Sequence, residues 1–144
     1  MPSWDIIFPP AHNWHVGYER EQADQYIIEW VRDDESVEDW SELITFMYQE
    51  IPQSMYNGVV NETLAGLQQD CPSFGAELLE KTDYNITIEW WDDGCAGWPA
   101  QRVVVKYVYA GNGILSLQYA HYVNRTQPEM EHWRDFVLNA GPTE

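Results

Sequence analysis

Residues 84–90 read Tyr-Asn-Ile-Thr-Ile-Glu-Trp, and this alternation of apolar and polar side chains has the period of a β-strand. A second strand is predicted over 101–110, where three consecutive valines mark the centre. Residues 111–113, Gly-Asn-Gly, tolerate the positive φ angles of a tight turn, and a third strand follows over 114–123. Because short connections join antiparallel neighbours, this part of the chain predicts a largely antiparallel sheet.

The sequence before this sheet predicts a hairpin and two helices. Residues 14–20 and 25–32 alternate in the same way, and a four-residue polar turn joins them. Residues 33–51 predict the clearest helix, because apolar side chains recur at three- and four-residue steps and Ser36 can cap the first turn. A second helix is predicted over 53–70, where another apolar stripe repeats at helical spacing.

The remaining elements complete the predicted fold. A short strand is predicted over 76–82, and a C-terminal helix carries Trp133 on its inward stripe. The order is therefore β-β-α-α-β-β-β-β-α, an α+β fold with five to six strands covered by two central helices and the C-terminal helix. The length of 144 residues predicts one domain, 1–144, with an N-terminal arm over 1–12.

The charge of the chain excludes two classes of partner. Seven basic residues stand against 24 acidic ones, which gives a net charge of −17. Such a surface repels phosphate backbones and anionic lipid headgroups, so we expect no binding to nucleic acid. No apolar run approaches the roughly 18 residues of a membrane span, so we expect no membrane insertion. The acidity can serve solubility or life in high salt, or it can attract a basic partner protein.

An acidic surface is predicted at the start of the 33–51 helix. Carboxylates there interact favourably with the helix macrodipole and lie on its solvated side. Charge alone cannot distinguish a solvated helix face from a surface that meets a basic partner. The predicted members are Asp33, Asp34, Glu35, Glu38, Asp39 and Glu42.

The two cysteines leave two alternatives open. Cys71 and Cys95 do not form a Cys-x-x-Cys motif, so a zinc or thioredoxin-type site has no support from spacing. They are either two buried thiols or one disulfide, which would form only in an oxidising compartment. The N-terminal residues show no basic region followed by an apolar stretch, so an exported protein would be represented here by its mature form.

Sequence motifs give no catalytic residue. The chain lacks Gly-x-Ser-x-Gly, Ser-x-x-Lys and the Gly-x-x-x-x-Gly-Lys phosphate cradle. His12 with His15, and Asp92 with Asp93, are weak metal candidates because neither pair has the spacing of a known site. Among 24 acidic residues, sequence cannot select an acid–base pair. We therefore expect no catalytic residue, no metal and no cofactor.

The loop over 91–99 is the predicted binding site. If Trp90 faces the core, then Trp91 faces the other side of the sheet, and Trp98 follows within the loop. Exposed tryptophan beside carboxylates is the composition of a binding hot spot, so Trp91, Asp92, Asp93 and Trp98 are its candidates. Alternatively, a second helical layer covers these tryptophans.

Several of these stretches resemble a family of small exported proteins of unknown function from Gram-negative bacteria. The similarity lies in 26–31, in 35–40, in a cysteine after the second helix and another after a strand, and in the pattern from Gly113 to Trp133. The resemblance implies a Cys71–Cys95 disulfide and a periplasmic location, and it carries over no catalytic residue. The element order is also similar to the Mog1/PsbP-like α/β/α architecture, whose members mostly bind other proteins.

Two functional hypotheses follow. The first is a non-enzymatic, acidic protein-binding module of the bacterial envelope, periplasmic or secreted, which acts on a basic partner as an immunity, inhibitor or adaptor protein does. The second is a small-ligand-binding domain or an unrecognised hydrolase with a pocket near Trp91 and Trp98. A cytoplasmic location is the alternative to export.

Overall fold

The computed structural model describes residues 6, 8, 12–95, 97 and 99–141. They form an α+β fold, a seven-stranded sheet in the order β1-β2-β3-β7-β6-β5-β4 in which every neighbouring pair is antiparallel. The strands are β1 (Trp14–Glu21), β2 (Gln25–Arg32), β3 (Glu42–Glu50), β4 (Gly75–Thr82), β5 (Asn85–Asp92), β6 (Gln101–Ala110) and β7 (Gly113–Tyr122). The helices are α1 (Tyr56–Asp70), after a 3₁₀ turn (Gln53–Met55), and α2 (Met130–Asn139).

The predicted helix over 33–51 is wrong, because residues 42–50 form β3. This strand lies inside the sheet between β2 and β7, and its first five residues are buried on both faces. A strand that is covered on both sides contains a continuous apolar run, and a continuous run also satisfies helical spacing. The described chain thus has seven strands where five to six were predicted, and one central α-helix where two were predicted.

The hairpin between β6 and β7 confirms the predicted turn at 111–113. Gly111 adopts a φ of 66°, in the left-handed region that glycine occupies without strain. Gly113 begins β7 against the end of β3, where a Cβ would lie 2.3 Å from the carbonyl oxygen of Gln49. A larger residue would therefore push β7 away from β3 at this point.

Two antiparallel meanders meet at the β3–β7 pair. The first contains β1 to β3 and the second contains β4 to β7. The connection through α1 carries the chain from the centre of the sheet to its far edge at β4. No helix in the described part of the chain is long and apolar enough to cross a bilayer.

The two helices cover opposite faces of the sheet, which we call the α1 face and the α2 face. Tyr56 and Val60 of α1 pack against Ile114 on the α1 face. Trp133 and Val137 of α2 pack against the larger core on the α2 face, with the valine and leucine side chains of β6 and β7. Residues opposite one another in antiparallel strands share a face, so the register assigns each polar side chain to one side.

Candidate functional site

Trp91 lies on the α2 face and Trp90 on the α1 face, as the alternation within β5 predicts. Trp90 is buried beside Phe74, with 5.6 Å between their ring centroids. The half-buried ring of Trp91 has the guanidinium carbon of Arg102 5.0 Å from its centroid. A Cβ at Gly75 would come within 2.5 Å of Trp91 Nε1. Trp91 is thus enclosed by neighbouring strands and is not displayed in a loop.

The loop after β5 is tied to the end of α1 by a disulfide between Cys71 and Cys95, whose Cα atoms lie 5.3 Å apart. Asp92 ends β5 on the α1 face and is only 2% exposed. Its Oδ1 accepts a hydrogen bond of 2.8 Å from the backbone N–H of Gly94. Asp93 is exposed. The disulfide that the family resemblance implied is therefore present.

The structure does not bring the predicted binding residues to one surface. Trp91 and Asp92 lie on opposite faces of the sheet, and Asp93 is exposed beyond the end of β5. Trp98 lies outside the described residues. Binding by this loop remains a prediction, but a pocket shared by Trp91 and Asp92 does not fit the geometry.

Four members of the predicted acidic surface are exposed, in the connection between β2 and β3 and not on a helix. Asp39 pairs with the exposed Arg125. The Asp33 carboxylate accepts a hydrogen bond from the backbone N–H of Asn13, and this bond is the main reason that the pKa of Asp33 lies below its usual value. The exposed four are Asp33, Asp34, Glu38 and Asp39.

The other two predicted members turn inward. Glu35 is half-buried and accepts hydrogen bonds from the backbone N–H and the hydroxyl of Ser41, at 2.9 and 2.5 Å. Glu42 is only 2% exposed, so its assignment to the acidic surface is wrong. The reason is the misassigned helix: as the first residue of β3, Glu42 points to the α2 face between two neighbouring strands.

A buried polar network on the α2 face was not predicted from the sequence. Glu89 of β5 has no exposed surface, and its carboxylate accepts hydrogen bonds from Arg102 of β6 and Arg134 of α2. Burial raises the pKa of a carboxyl, but the two guanidinium groups outweigh it and hold the pKa of Glu89 below its usual value. Glu89 is therefore an ionised anchor between α2 and the sheet.

A second buried charge cluster, which we call the Glu42 centre, lies on the same face beside the Glu89 network. The carboxylate of Glu42 pairs with Arg32 of β2 and accepts a hydrogen bond of 2.6 Å from the hydroxyl of Tyr119 on β7. Burial and the neighbouring carboxylate raise the pKa of Tyr119 far above its ordinary value. Trp133 of α2 stacks on the Tyr119 ring, with 3.8 Å between the ring centroids. The Nε2 atom of His12 lies 2.9 Å from Nη1 of Arg32.

His121 lies between the Glu42 centre and the Glu89 network. Its cross-strand neighbours are Glu42 on β3 and Arg102 on β6. His121 is 4% exposed, and its Nδ1 has no hydrogen-bond partner within the described ranges. Burial, followed by the positive charge of Arg102, lowers the pKa of His121 to about 4, so its imidazole is neutral at pH 7.

The geometry assigns this network to holding α2 on the sheet. Glu89 is ionised between two arginines, so it has no proton to donate near neutral pH. A buried carboxylate is tolerated where charged donors satisfy its oxygens. The available sequence signal was Glu89 on the polar side of an alternating strand, but its partners lie 13 and 45 positions away.

The network also withdraws four of the seven basic side chains at least partly from solvent. Lys106, 6% exposed, donates to the carbonyl oxygens of Leu138 and Ala140 at the end of α2, at 2.8 and 2.7 Å. The internal or half-buried basic residues are Arg32, Arg102, Lys106 and Arg134. Three of the seven basic residues are exposed: Arg20, Lys81 and Arg125.

The exposed acidic side chains greatly outnumber these three cations. The described part of the chain exposes 17 of them, distributed over both sheet edges, the loops and both helices. They are Glu19, Glu21, Asp24, Asp33, Asp34, Glu38, Asp39, Glu50, Glu62, Asp70, Glu77, Glu80, Asp83, Asp93, Glu129, Glu131 and Asp135. The outer surface is therefore more uniformly negative than the net charge alone indicates.

One end of the sheet combines this acidity with tyrosines in a groove of about 350 Å³, which we call the tyrosine groove. It lies where the β1–β2 turn, the end of β3 and the β6–β7 turn meet, and the backbone N–H of Glu50 bonds the carbonyl oxygen of Asp24 at 2.8 Å. Its defining side chains are Glu21, Asp24, Glu50, Tyr26 and Tyr48. The groove was not predicted from the sequence because Glu50 was assigned to a helix.

The tyrosines of this groove remain protonated at any physiological pH. Burial and a hydrogen bond of 2.5 Å from the Tyr26 hydroxyl to Glu19 raise the pKa of Tyr26 to about 12. Burial, together with the charge of Glu50, raises the pKa of Tyr48. The groove therefore presents neutral aromatic rings beside ionised carboxylates, a combination that suits a cationic side chain.

Comparison with known proteins adds no assignment to this geometry. No protein-family model matches the sequence, and no curated protein matches it.

Proposed function

We propose that this chain is a non-enzymatic, acidic protein-binding module that holds a basic partner protein. The observation that carries the proposal is the separation of charge. Seventeen acidic side chains are exposed among the described residues, whereas four of the seven basic ones are internal or half-buried. Immunity, inhibitor and adaptor proteins act in this way, by shape and potential without a reacting group.

Physical chemistry links this separation to association. A surface of one sign raises the encounter rate with a partner of opposite sign, and salt weakens the effect within a Debye length of about 8–10 Å. The half-buried arginines pair most closely with the buried Glu42 and Glu89, so they offset little of the exposed negative charge. We therefore expect fast, salt-sensitive association.

The tyrosine groove is the proposed contact centre for a lysine or arginine of the partner. Tyrosine is enriched in the energetic centres of interfaces, and carboxylates supply charge-assisted hydrogen bonds to a cation. The side chains of Tyr26 and Tyr48 are half-buried, and the carboxylates of Glu21, Asp24 and Glu50 are exposed around them. Rigid rings beside exposed carboxylates lower the ordering cost of binding.

We place the protein in the bacterial envelope, either periplasmic or secreted. The Cys71–Cys95 disulfide supports this location, because disulfides persist in oxidising compartments. The resemblance to small exported Gram-negative proteins and the similarity to the Mog1/PsbP-like architecture belong to the same proposal. Reduced cysteines in protein isolated directly from cells would instead favour the cytoplasm.

Partner capture at two salt concentrations tests the function. The purified chain is immobilised and exposed to an extract of its source organism at low and at high salt. We expect a basic protein that is retained at low salt and released at high salt. Recovery of no salt-sensitive basic protein contradicts the proposal, and strong salt dependence of folding stability with no partner would favour adaptation to a saline habitat.

A matched pair of variants tests the contact centre. Asp24→Asn with Glu50→Gln neutralises two carboxylates of the tyrosine groove, whereas Glu62→Gln with Asp70→Asn neutralises two exposed carboxylates of α1. Both doubles change the net charge equally. We expect the groove double to lose roughly tenfold or more in affinity for the captured partner, and the α1 double only a few-fold. Equal losses would show that net charge acts without a defined centre.

A further inference from the structure

The disulfide and Asp92 form a compact group of potential metal ligands on the α1 face. Both sulfur atoms and a carboxylate oxygen of Asp92 lie within 4.8 Å of one another. Cys71 is 6% exposed and Asp92 is 2% exposed, whereas Cys95 is half-buried. The group is thus a largely desolvated set with one sulfur nearer to solvent.

Asp92 is the buried carboxylate of this sheet that lacks a cationic partner among the described residues. Its Oδ1 accepts the N–H of Gly94, but its Oδ2 has no hydrogen-bond partner within the described ranges. Glu42 and Glu89, which are equally buried, each pair with arginine. An unpaired buried carboxylate is costly, so its retention beside two sulfurs points to a cationic ligand in another state of the protein.

We propose that reduction of the Cys71–Cys95 disulfide creates a Zn²⁺ site whose ligands are the two thiolates and the Asp92 carboxylate. A dithiol reductant supplies two electrons and two protons, becomes a disulfide itself and leaves two thiols on the protein. Zn²⁺ then displaces both thiol protons and forms two zinc–sulfur bonds and one zinc–oxygen bond. Three protein ligands leave a fourth tetrahedral position for water.

The dimensions fit this ion. Zinc–sulfur bonds of about 2.3 Å place tetrahedral sulfurs roughly 3.8 Å apart. The Cα atoms of Cys71 and Cys95 lie 5.3 Å apart, so the reduced sulfurs can reach that separation by rotation of the side chains. Cys95 lies in a loop that contains two glycines with positive φ angles, Gly94 at 101° and Gly97 at 83°. Cys95 is also the more accessible cysteine, so the reductant reaches it first.

Metal titration of the oxidised and the reduced protein tests the site. We expect the reduced chain to bind one Zn²⁺ tightly and the oxidised chain to bind it only weakly through exposed carboxylates. With Co²⁺ as the probe, the reduced chain should show a thiolate-to-cobalt charge-transfer band, which carboxylates alone cannot produce. The same titration with Zn²⁺ should raise the unfolding temperature of the reduced chain but leave the oxidised chain unchanged.

Two matched variants identify the third ligand. Asp92→Asn should weaken Zn²⁺ binding to the reduced chain by roughly ten- to a hundredfold, whereas the exposed Asp93→Asn should leave it unchanged. Cys71→Ser should abolish the charge-transfer band. The proposal is overturned if reduced wild-type protein, shown to be folded by its circular dichroism, binds Zn²⁺ no more tightly than oxidised protein. It is also overturned if Asp92→Asn and Asp93→Asn bind equally. None of these measurements depends on the proposed partner protein.

Discussion

Glu89 and Asp92 are two carboxylates of the same strand, three positions apart, and both are almost completely buried. Glu89 points to the α2 face, where Arg102 and Arg134 hold it. Asp92 points to the α1 face, where it has a backbone N–H, an unpartnered oxygen and a disulfide beside it. One carboxylate is compensated by the fold, and the other is not.

This difference distinguishes Glu89, whose charge is part of the fold, from Asp92, which we propose as a metal ligand. Glu89 connects three elements, since its partners belong to β6 and α2, so its charge contributes to the position of the helix. Among the described residues, Asp92 accepts a hydrogen bond only from Gly94 in the loop that follows it, so its charge does not join separate elements of the oxidised fold. Substitution of the two carboxylates should therefore change stability in different ways.

Removal of the charge of Glu89 should have the largest effect. Glu89→Gln removes the buried carboxylate to which the half-buried Arg102 and Arg134 both donate, so we expect a loss of about 3 kcal/mol in unfolding free energy. Urea denaturation at pH 7 measures it. Glu77→Gln is the control, because Glu77 is the exposed cross-strand neighbour of Glu89 and should change stability by less than about 0.5 kcal/mol. Equal effects of the two variants would contradict the anchoring role.

His121 should make the α2 face sensitive to acid. The pKa of His121 falls from 6.5 in the unfolded chain to about 4 in the folded protein. Between these two values the unfolded state binds a proton that the folded state does not, so acid favours unfolding. Stability should therefore fall by about 2 kcal/mol between pH 7 and pH 4.5.

Urea denaturation across this pH range measures the slope. His121→Gln should flatten it, whereas the exposed His132→Gln should leave it unchanged. An unchanged slope in the His121 variant would assign the acid sensitivity to other groups. The charged groups that face this imidazole are Glu42 on β3, Arg102 on β6 and Glu89 on β5.

Asp92→Asn should not destabilise the oxidised protein, in contrast to Glu89→Gln, and should raise its unfolding free energy by about 1–3 kcal/mol because it removes a buried carboxylate without a cationic partner among the described residues. The amide oxygen can still accept the N–H of Gly94, and no cationic partner among the described residues is left unpaired. Denaturation under non-reducing conditions checks this expectation. A loss as large as that of Glu89→Gln would show that a compensating group holds Asp92 in the oxidised state.

The smallest effect is expected at the surface. Asp39 pairs with Arg125 in an exposed position, so Asp39→Asn should cost about 0–0.5 kcal/mol and less at high salt. Thermal unfolding at two salt concentrations measures it. A loss above about 1 kcal/mol would mean that this connection between β2 and β3 contributes more to the fold than its exposure indicates.

Sequence patterns predicted the strands in which residue types alternate or valines cluster, and misassigned the strand whose apolar run also fits helical spacing. β5 and β7 were identified from alternation, β6 from its three central valines, and the β6–β7 connection from the turn residues at 111–113. β3 is covered on both faces, so its composition carries no alternation that points to a strand. The same error placed Glu42 and Glu50 on a helix and concealed both the Glu42 centre and the tyrosine groove.

The opposite facing of Trp90 and Trp91 was predicted correctly, because it depends only on the local period of two. The enclosure of Trp91 by Gly75 and Arg102 was not predictable, because it depends on which strands lie beside β5. For the same reason the arginine partners of Glu89 could not be assigned from one sequence. Local periods are visible in a sequence, whereas long-range pairs are products of the register.

The β3–β7 pair also determines when the sheet can close during synthesis. β7 is the last of the seven described strands to emerge from the ribosome, yet it occupies the position between β3 and β6. Until it arrives, β3 presents an unpaired apolar edge, and about 70 residues separate the two partners. A nascent chain that stalls before Gly113 would therefore expose an edge that favours aggregation, and a chaperone that covers β3 would act in this interval.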